Sequence, residues 1–245
     1  MKLSDGRITT TDESILSLFT FNPLTRRWSC LGTGFFVQPN GVFVTAKHVV
    51  LDSGGNRVQT LYGVQTTPLG DRDLRVAVSF EVHPDADIAI GLLGPHRKGR
   101  VDLPPKDSIP FQLDFGNLEI GDGVRSYAFP QTKDTIVSVD ATEFTIQGKW
   151  MKGEIIDYRE KGSSKVSNRT YFSSMNVEGG ASGGPVIKNN LVVGINSSSY
   201  ASNTSCVTPI DYILDMSVKE FNGEVISIRQ LVEQGNIPAV NLPEF

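Results

Sequence analysis

The sequence predicts an all-β fold in two halves. Short segments rich in β-branched and aromatic residues, several with alternating apolar and polar positions, recur along the chain, as is typical of strands. With 24 glycines and 13 prolines among 245 residues, there are enough turn formers to join many short strands. Residues 94–110 contain four prolines and many charges, which indicates a linker. We therefore expect two β-barrels or sandwiches of about a hundred residues each, over residues 1–110 and 111–245.

The first half contains five predicted strands. They cover residues 14–22, 28–38, 42–46, 74–82 and 87–93. Between the second and third, the sequence Pro39-Asn40-Gly41 predicts a hairpin, because Asn and Gly tolerate the positive φ of a tight turn.

The second half contains seven predicted strands and ends in a helical segment. The strands cover residues 123–129, 135–146, 153–158, 170–175, 185–188, 191–196 and 206–210. Residues 211–217 are ambiguous between helix and strand. Ser227 is placed to cap a short helix over 228–234, which Gly235 ends.

Composition excludes some function classes and indicates a compartment. The formal net charge of -4 and pI near 5.4 argue against a nucleic-acid partner, and no apolar run is long enough to span a membrane. The first residues lack the apolar stretch of a secretory signal. Cys30 and Cys206 are too few for a typical secreted β protein of this size, so we expect a reducing, cytoplasmic setting and buried thiols rather than a redox pair.

Three short segments place reactive side chains at strand ends. VTAKHVV puts His48 directly after a strand, HPDADIAIGLL puts Asp87 at the start of a buried strand, and GGASGGPVI puts Ser182 in a glycine-rich turn. Strand ends hold a side chain on a rigid scaffold while leaving it accessible. These three residues are therefore the candidate catalytic groups.

Their chemistry is complementary. A serine hydroxyl is a weak nucleophile until a base such as histidine takes its proton, and a carboxylate on the other imidazole nitrogen orients that base. Glycines around the serine let backbone N–H groups converge on one point. Gly180 and Ser182 are thus the expected oxyanion-hole donors.

Chain order separates the classes of serine hydrolase. Residues 180–184 also match the G-x-S-x-G elbow of α/β-hydrolases, but that fold needs its histidine after the serine, and all three histidines precede Ser182. A subtilisin-like order would require Asp5 or Asp12, near an irregular terminus, as the acid. The order His, Asp, Ser remains, and Asp87 is preferred to Asp85 because the buried run begins directly after it.

A metal site is the alternative for the HPDAD segment. Its His83, Asp85 and Asp87 alternate, but further ligands are not evident. We therefore expect His83 in a surface loop, His96 as a solvated linker residue, and neither a metal nor another cofactor.

The segments TAKHVV, DADIAIGLL and GGASGGPVI resemble the three signature segments of trypsin/chymotrypsin-like serine proteases. GTGFFV and IGDGVRSYAFP make the resemblance closest to the disulfide-poor bacterial branch, the HtrA-like catalytic domain, here without a PDZ module. The resemblance implies two packed six-stranded antiparallel β-barrels with a short C-terminal helix. It also implies that the first barrel contributes His48 and Asp87, that the second contributes Ser182, and that an extended peptide binds between them.

Two departures from the secreted members of that family concern control and compartment. In zymogen-activated members an aspartate before the nucleophile pairs with a newly cut N-terminus, whereas this chain has Ala181, so that switch cannot operate. The residue after the histidine is Val49 rather than cysteine, in agreement with a reducing compartment.

The resemblance also implies a specificity pocket. Asn176 would lie near its base, and Ser197, Ser198 and Ser199 would form its wall and the strand that pairs with the peptide. Since no carboxylate occupies the base, a preference for Arg or Lys is not supported.

The expected function is a serine endopeptidase that cleaves a peptide or protein substrate through an acyl-enzyme. A latent protease effector activated by a regulatory protein partner, a non-proteolytic esterase and a pseudoprotease on the same fold are the alternatives.

Overall fold

The structure is a computed structural model, and it describes residues 11–66, 72–95, 97–98, 101–102, 108–130, 132–138, 141–201 and 203–244. Asp5 and His96 lie outside the described residues. The strands are β1 Ile15–Asn22, β2 Arg27–Phe36, β3 Val42–Thr45, β4 Tyr62–Thr66, β5 Arg72–Val82, β6 Ala89–Leu93, β7 Arg97–Lys98, β8 Val101–Asp102, β9 Leu113–Asp114, β10 Gly123–Ala128, β11 Lys133–Ser138, β12 Ala141–Thr145, β13 Lys149–Arg159, β14 Thr170–Ser173, β15 Pro185–Lys188, β16 Leu191–Ala201, β17 Thr204–Pro209, β18 Ser217–Lys219, β19 Val225–Ser227 and β20 Ala239–Val240. Three 3₁₀ helices cover Thr11–Ser14, Lys47–Val49 and Ile210–Asp215, and one α-helix, α1, covers Ile228–Glu233.

The first barrel is a closed ring of six antiparallel strands in the order β1-β2-β3-β6-β5-β4. The predicted hairpin joins β2 to β3, and Gly41 adopts a φ of +101°, which explains the glycine after Asn40. Leu16, Phe36 and Phe43 lie on one face of these strands and are among the apolar side chains of the buried core. This packed interior forms the rigid base for the two site residues that the first barrel carries.

The second barrel also closes with six strands. Its order is β15-β10-β13-β14-β17-β16, and pairing of β15 with β16 completes the ring. β9 pairs in parallel with β16, and β20 pairs in parallel with β9, so the C-terminal strand is attached to the outside of this barrel. The all-β prediction of two six-stranded antiparallel barrels with a short C-terminal helix is confirmed.

A buried arginine explains why one strand, β4, was not predicted. Arg75 is 1% exposed, and its guanidinium donates to Gln65 Oε1 at 2.8 Å and to the Gly94 carbonyl at 2.9 Å. Gln65 is therefore a polar residue on the inside of the barrel, and Gly63 precedes it, so β4 lacks the usual apolar alternation. Burial lowers the pKa of Arg75 to about 10, against the opposing effect of Asp73.

Other element predictions need correction. The single strand predicted over 135–146 is a hairpin of β11 and β12, and the linker over 94–110 contains the short pair β7 and β8. The ambiguous segment 211–217 is mainly a 3₁₀ helix, Ile210–Asp215. Local sequence does not resolve such short elements, because their pairing and packing decide them.

The C-terminal helix begins as predicted. The Ser227 side chain accepts a hydrogen bond from the Gln230 N–H at 3.2 Å, and Gly235 adopts a φ of +74° just beyond the helix. Across the described ranges, no helix is both long and apolar enough to cross a membrane.

The two cysteines are not joined by a disulfide. Cys206 is fully buried beside Val166 and Phe172, and burial raises the pKa of its thiol. Cys30 is only half-buried, so the prediction of two buried thiols is correct for Cys206 and wrong for Cys30. Cys30 lies near the outer part of β2, where the strand is only partly covered.

Candidate active site

His48 lies in the 3₁₀ helix that follows β3. The apolar side chains of Val49 and Val50 are buried in the core, which leaves the His48 side chain 49% exposed at the surface of the first barrel. The Lys47 ammonium donates to the carbonyls of His83 at 2.7 Å and Pro84 at 2.8 Å. These hydrogen bonds connect the 3₁₀ helix that contains His48 to the loop that contains Asp87.

Asp87 lies at the end of that loop, just before the buried Ile88. Both of its carboxylate oxygens are 3.0 Å from His48 Nδ1, and one also accepts the His48 backbone N–H at 3.1 Å. The carboxylate therefore favours the proton on Nδ1 and leaves Nε2 as the nitrogen that can act as a base. The competing Asp85 is exposed, and its N–H donates to the His83 ring instead.

His83 is buried, not in a surface loop as predicted. Its side chain is 5% exposed, and Nδ1 accepts the N–H groups of Asp85 at 3.1 Å and Ala86 at 2.9 Å. Burial lowers the pKa of His83, and Lys47 acts in the same direction. The ring shapes the loop before Asp87, because its Nδ1 lone pair is occupied by the backbone.

The turn around Ser182 requires two glycines. Gly180 has a φ of +89°, and a Cβ atom there would lie 3.0 Å from the Phe129 carbonyl oxygen. Gly183 has a φ of +82°, and a Cβ atom there would lie 2.2 Å from Thr45 Oγ1. The turn is therefore shaped by glycine conformations and by close contact with the first barrel.

The Ser182 hydroxyl points toward the second barrel. It donates to the Ser197 carbonyl at 3.5 Å, a long hydrogen bond, and among the hydrogen bonds of the described residues none joins Ser182 to His48. Catalytic hydrogen bonds are often loose before substrate binds. The structure thus has His48 and Asp87 paired and the serine hydroxyl turned aside.

Two backbone N–H donors lie in this turn, one on Ser182 itself and one on Gly180. Within the described part of the chain, the N–H groups of Gly180 and Ser182 donate to no protein acceptor, whereas the Ala181 N–H between them donates to the Glu178 carbonyl at 3.1 Å. Unpaired N–H groups on alternate residues are what a developing oxyanion needs.

Ala181 itself is fully buried. Its methyl group belongs to the apolar cluster inside the second barrel, together with Met175 and Val186. The Ala181 side chain therefore has apolar neighbours, while its carbonyl accepts a long hydrogen bond of 3.5 Å from the buried Asn196 amide.

A cleft of about 520 Å³ lies beside His48 and Asp87, and Gly180 and Ser182 are not among the residues that line it. It is lined by Lys47, His48, Leu51, Asp85, Ala86, Asp87, Lys165, Val166, Ser167, Ser197 and Ser198. Of the predicted pocket residues, Ser197 and Ser198 line this cleft. Asn176 is exposed and does not line it, and the Ser199 carbonyl accepts the Lys165 ammonium at 2.6 Å.

Asn168 contacts the site but was not predicted. Its side-chain oxygen accepts the Asp87 backbone N–H at 3.0 Å, and its amide donates to Thr208 Oγ1 at 3.3 Å. Thr208 in turn shares a hydrogen bond of 2.6 Å with the Ser197 hydroxyl. Asn168 precedes β14 of the second barrel, so only the packing of the two barrels brings it to Asp87.

Comparisons with known proteins agree with this geometry. Residues 32–195 match the family model of the trypsin-like peptidase domain. No curated protein matches the chain in sequence.

Several solved structures share the fold. The active form of the Rv3671c protease from M. tuberculosis is 22% identical, with a TM-score of 0.56 over 83% of this chain and 78% of that one. Deg5 is 17% identical, with a TM-score of 0.58 over 82% and 85%. The HtrA-type protease AlgW, solved with a decapeptide, is 15% identical, with a TM-score of 0.55 over 82% and 62%. At these identities the likeness establishes the fold.

Proposed function

The chain belongs to the trypsin-like peptidase family and is a serine protease, and from that premise we propose an endopeptidase with His48, Asp87 and Ser182 as its catalytic triad. The observation that carries this proposal is the Asp87 carboxylate at 3.0 Å from His48 Nδ1. The unpaired N–H groups of Gly180 and Ser182 support it, because two free donors at and beside the proposed nucleophile can stabilise an oxyanion.

The proposed reaction begins when a peptide enters the cleft and the Ser182 hydroxyl leaves the Ser197 carbonyl for His48 Nε2. Ser182 Oγ attacks the scissile carbonyl carbon while its proton passes to Nε2, and the N–H groups of Gly180 and Ser182 stabilise the oxyanion. The C–N bond then breaks as the imidazolium gives its proton to the leaving amine. Water repeats the sequence on the acyl-enzyme and releases the carboxylic acid and Ser182.

Substrate selection is assigned to the polar face of the cleft. We propose that Ser197, Ser198 and Ser199 face the extended peptide and that Asn176 lies near the base of the first specificity pocket. The Lys165 ammonium occupies the Ser199 carbonyl, so a peptide that pairs with this strand displaces it. Lys47 and Lys165 line the cleft together with Asp85 and Asp87, so these charges balance and we expect no preference for acidic over basic residues near the scissile bond.

Compartment, organisation and control are also proposals. The cytoplasm is favoured because Cys30 and Cys206 are not joined. We divide the chain into 1–110 and 111–245, and we propose a regulatory protein partner because Ala181 cannot operate the aspartate switch of zymogens.

An active-site label tests the triad. A fluorophosphonate probe is expected to label the wild type and not Ser182→Ala, whereas Ser164→Ala, which changes an exposed serine, should label normally. Labelling that persists in Ser182→Ala would mean that another residue is the nucleophile.

A peptide library and an activated ester, tested side by side, separate a protease from an esterase. Cleavage of the ester alone would contradict the proposed endopeptidase. Peptide cleavage that appears only with an added partner would indicate a latent enzyme.

A further inference from the structure

Thr33 of β2 lies where the first barrel meets the nucleophile turn. It is fully buried, and its backbone N–H donates to the Ser182 carbonyl at 2.8 Å. Its carbonyl accepts the Thr45 hydroxyl at 2.7 Å. Its own hydroxyl donates to the Gly180 carbonyl at 2.8 Å and accepts the Phe129 N–H at 3.3 Å. One side chain thus joins β2, the end of β10 and the turn that carries Ser182.

We propose that the Thr33 hydroxyl is a positioning residue that holds the Gly180 N–H in the orientation needed to bind the oxyanion. This inference rests on the proposed function, since it concerns the oxyanion hole of that reaction. Thr33 does not touch the reacting atoms, and it acts through the backbone of the turn.

Peptide planarity explains how the hydroxyl acts. When Thr33 holds the Gly180 carbonyl, the Ala181 N–H in the same trans peptide must point the opposite way, and it meets the Glu178 carbonyl at 3.1 Å. Thr33 thus fixes the peptide plane on the carbonyl side of Gly180, and the two rotations of Gly180 relate its N–H to that plane. On the other side lies Gly179, which is exposed and has no atoms within 4 Å of its added Cβ position. The orientation of the Gly180 N–H is therefore restrained chiefly from the Thr33 side.

Glycine makes this restraint necessary. Gly180 can rotate more freely than any other residue type, and its N–H has no protein acceptor among the described residues. Without the hydroxyl, the partly buried Gly180 carbonyl loses its donor, and rotation of the peptide toward another donor becomes favourable. The orientation of the Ser182 N–H depends less on the Thr33 hydroxyl. The Ser182 carbonyl accepts the Thr33 backbone N–H, and a change of the Thr33 side chain leaves that hydrogen bond in place.

The test compares three variants with the wild type. Thr33→Val keeps the shape and removes the hydroxyl, and Thr33→Ser keeps the hydroxyl. Thr20→Val removes the hydroxyl of a β1 residue outside the site, which donates to the Thr60 carbonyl. We expect Thr33→Val to lower kcat by about 10- to 100-fold with KM little changed, as for a weakened oxyanion donor. Thr33→Ser and Thr20→Val should stay within about threefold of the wild type.

Two further readouts distinguish positioning from loss of structure. Amide hydrogen exchange over residues 178–184 should be faster in Thr33→Val and unchanged in Thr33→Ser and Thr20→Val. Affinity for a peptide boronic acid, whose adduct with Ser182 occupies the oxyanion hole, should fall with kcat in Thr33→Val. Thr33→Ala supplies the same comparison if the valine variant does not fold.

The outcomes separate this inference from the proposed function. Wild-type kcat and wild-type exchange in Thr33→Val would overturn the role of Thr33 while leaving the protease intact. Equal loss in Thr33→Val and Thr33→Ser would also overturn it, because the hydroxyl would not be the group that matters. A wild type without peptidase activity would contradict the proposed function, and the exchange comparison would still decide whether Thr33 holds the turn.

Discussion

The residue directly before Ser182, the proposed nucleophile, has only a methyl group as its side chain. Ala181 is fully buried in the apolar cluster of the second barrel, and its carbonyl accepts the Gly184 N–H at 3.0 Å. The turn is therefore anchored on one side by apolar packing and on the other by backbone contacts with the first barrel. No charge at this position is needed to hold the turn in place.

An aspartate at this position should destabilise the protein. Ala181→Asp would bury a carboxylate among the apolar side chains of the second barrel, and we expect the free energy of unfolding to fall by about 3 kcal/mol. Urea denaturation at neutral pH measures the change. Ala181→Ser, which adds only a hydroxyl, should cost about 1 kcal/mol. Equal stability of Ala181→Asp and the wild type would mean that the carboxylate finds a partner or reaches water.

The C-terminal helix is short and is stabilised by its N-cap and by tertiary packing. α1 has only six residues, and it depends on the Ser227 cap and on Ile228 and Leu231, which are buried against the rest of the molecule. A helix of this length is not stable by itself.

Removal of the cap should weaken this element alone. Ser227→Ala leaves the Gln230 N–H without its acceptor, and we expect a loss of about 1 kcal/mol in the free energy of unfolding. Ser227→Thr retains the hydroxyl and should lose less. Both variants are expected to react with a fluorophosphonate at the wild-type rate. Slower labelling would mean that the stability of α1 affects the reactivity of the site.

One contact between the two barrels involves a buried histidine. His83 of the first barrel packs edge-on against Tyr212 beyond β17, with ring centroids 5.2 Å apart. Its surroundings include Asp215 and Asp85, which favour the protonated ring, and Lys47, which opposes it. Burial outweighs the two carboxylates, so the pKa of His83 is lowered in the folded protein.

Stability should therefore decline on acidification. Because the pKa of His83 is lowered in the folded state, the unfolded chain binds the proton first as the pH falls below about 6.5. The His83 contribution is complete above that pH and is lost between it and the lower folded pKa. His83→Asn, whose side-chain oxygen can accept the same backbone N–H groups, should show a smaller loss between about pH 7.5 and pH 5 in urea denaturation. An equal loss in both proteins would assign the acid sensitivity to other groups.

Much of the architecture and the three candidate catalytic residues could be predicted because their signals are local. Strand alternation, turn glycines and the contexts of His48, Asp87 and Ser182 all lie within short segments. β4 was missed because Gln65 faces inward to bind Arg75, a requirement that lies on another strand. The roles of the site residues and the boundary at residue 110 stay predictions.

The partners that support the site could not be predicted in this way. Asn168 and Thr33 act only when the two barrels pack together, since each contacts a residue of the opposite barrel. An asparagine before a strand and a threonine within one are common in any β protein, and their local sequence does not distinguish them.

The contact between Thr33 and the nucleophile turn has a consequence for the newly made chain. His48 and Asp87 precede Ser182 in the chain, and the Ser182 turn contacts Thr33 of the first barrel in the folded protein. On the proposed mechanism, an incomplete chain has a base without a nucleophile, and a misdocked chain has a nucleophile without an ordered oxyanion hole. We therefore expect proteolytic activity to begin only when synthesis and docking of the second barrel are complete.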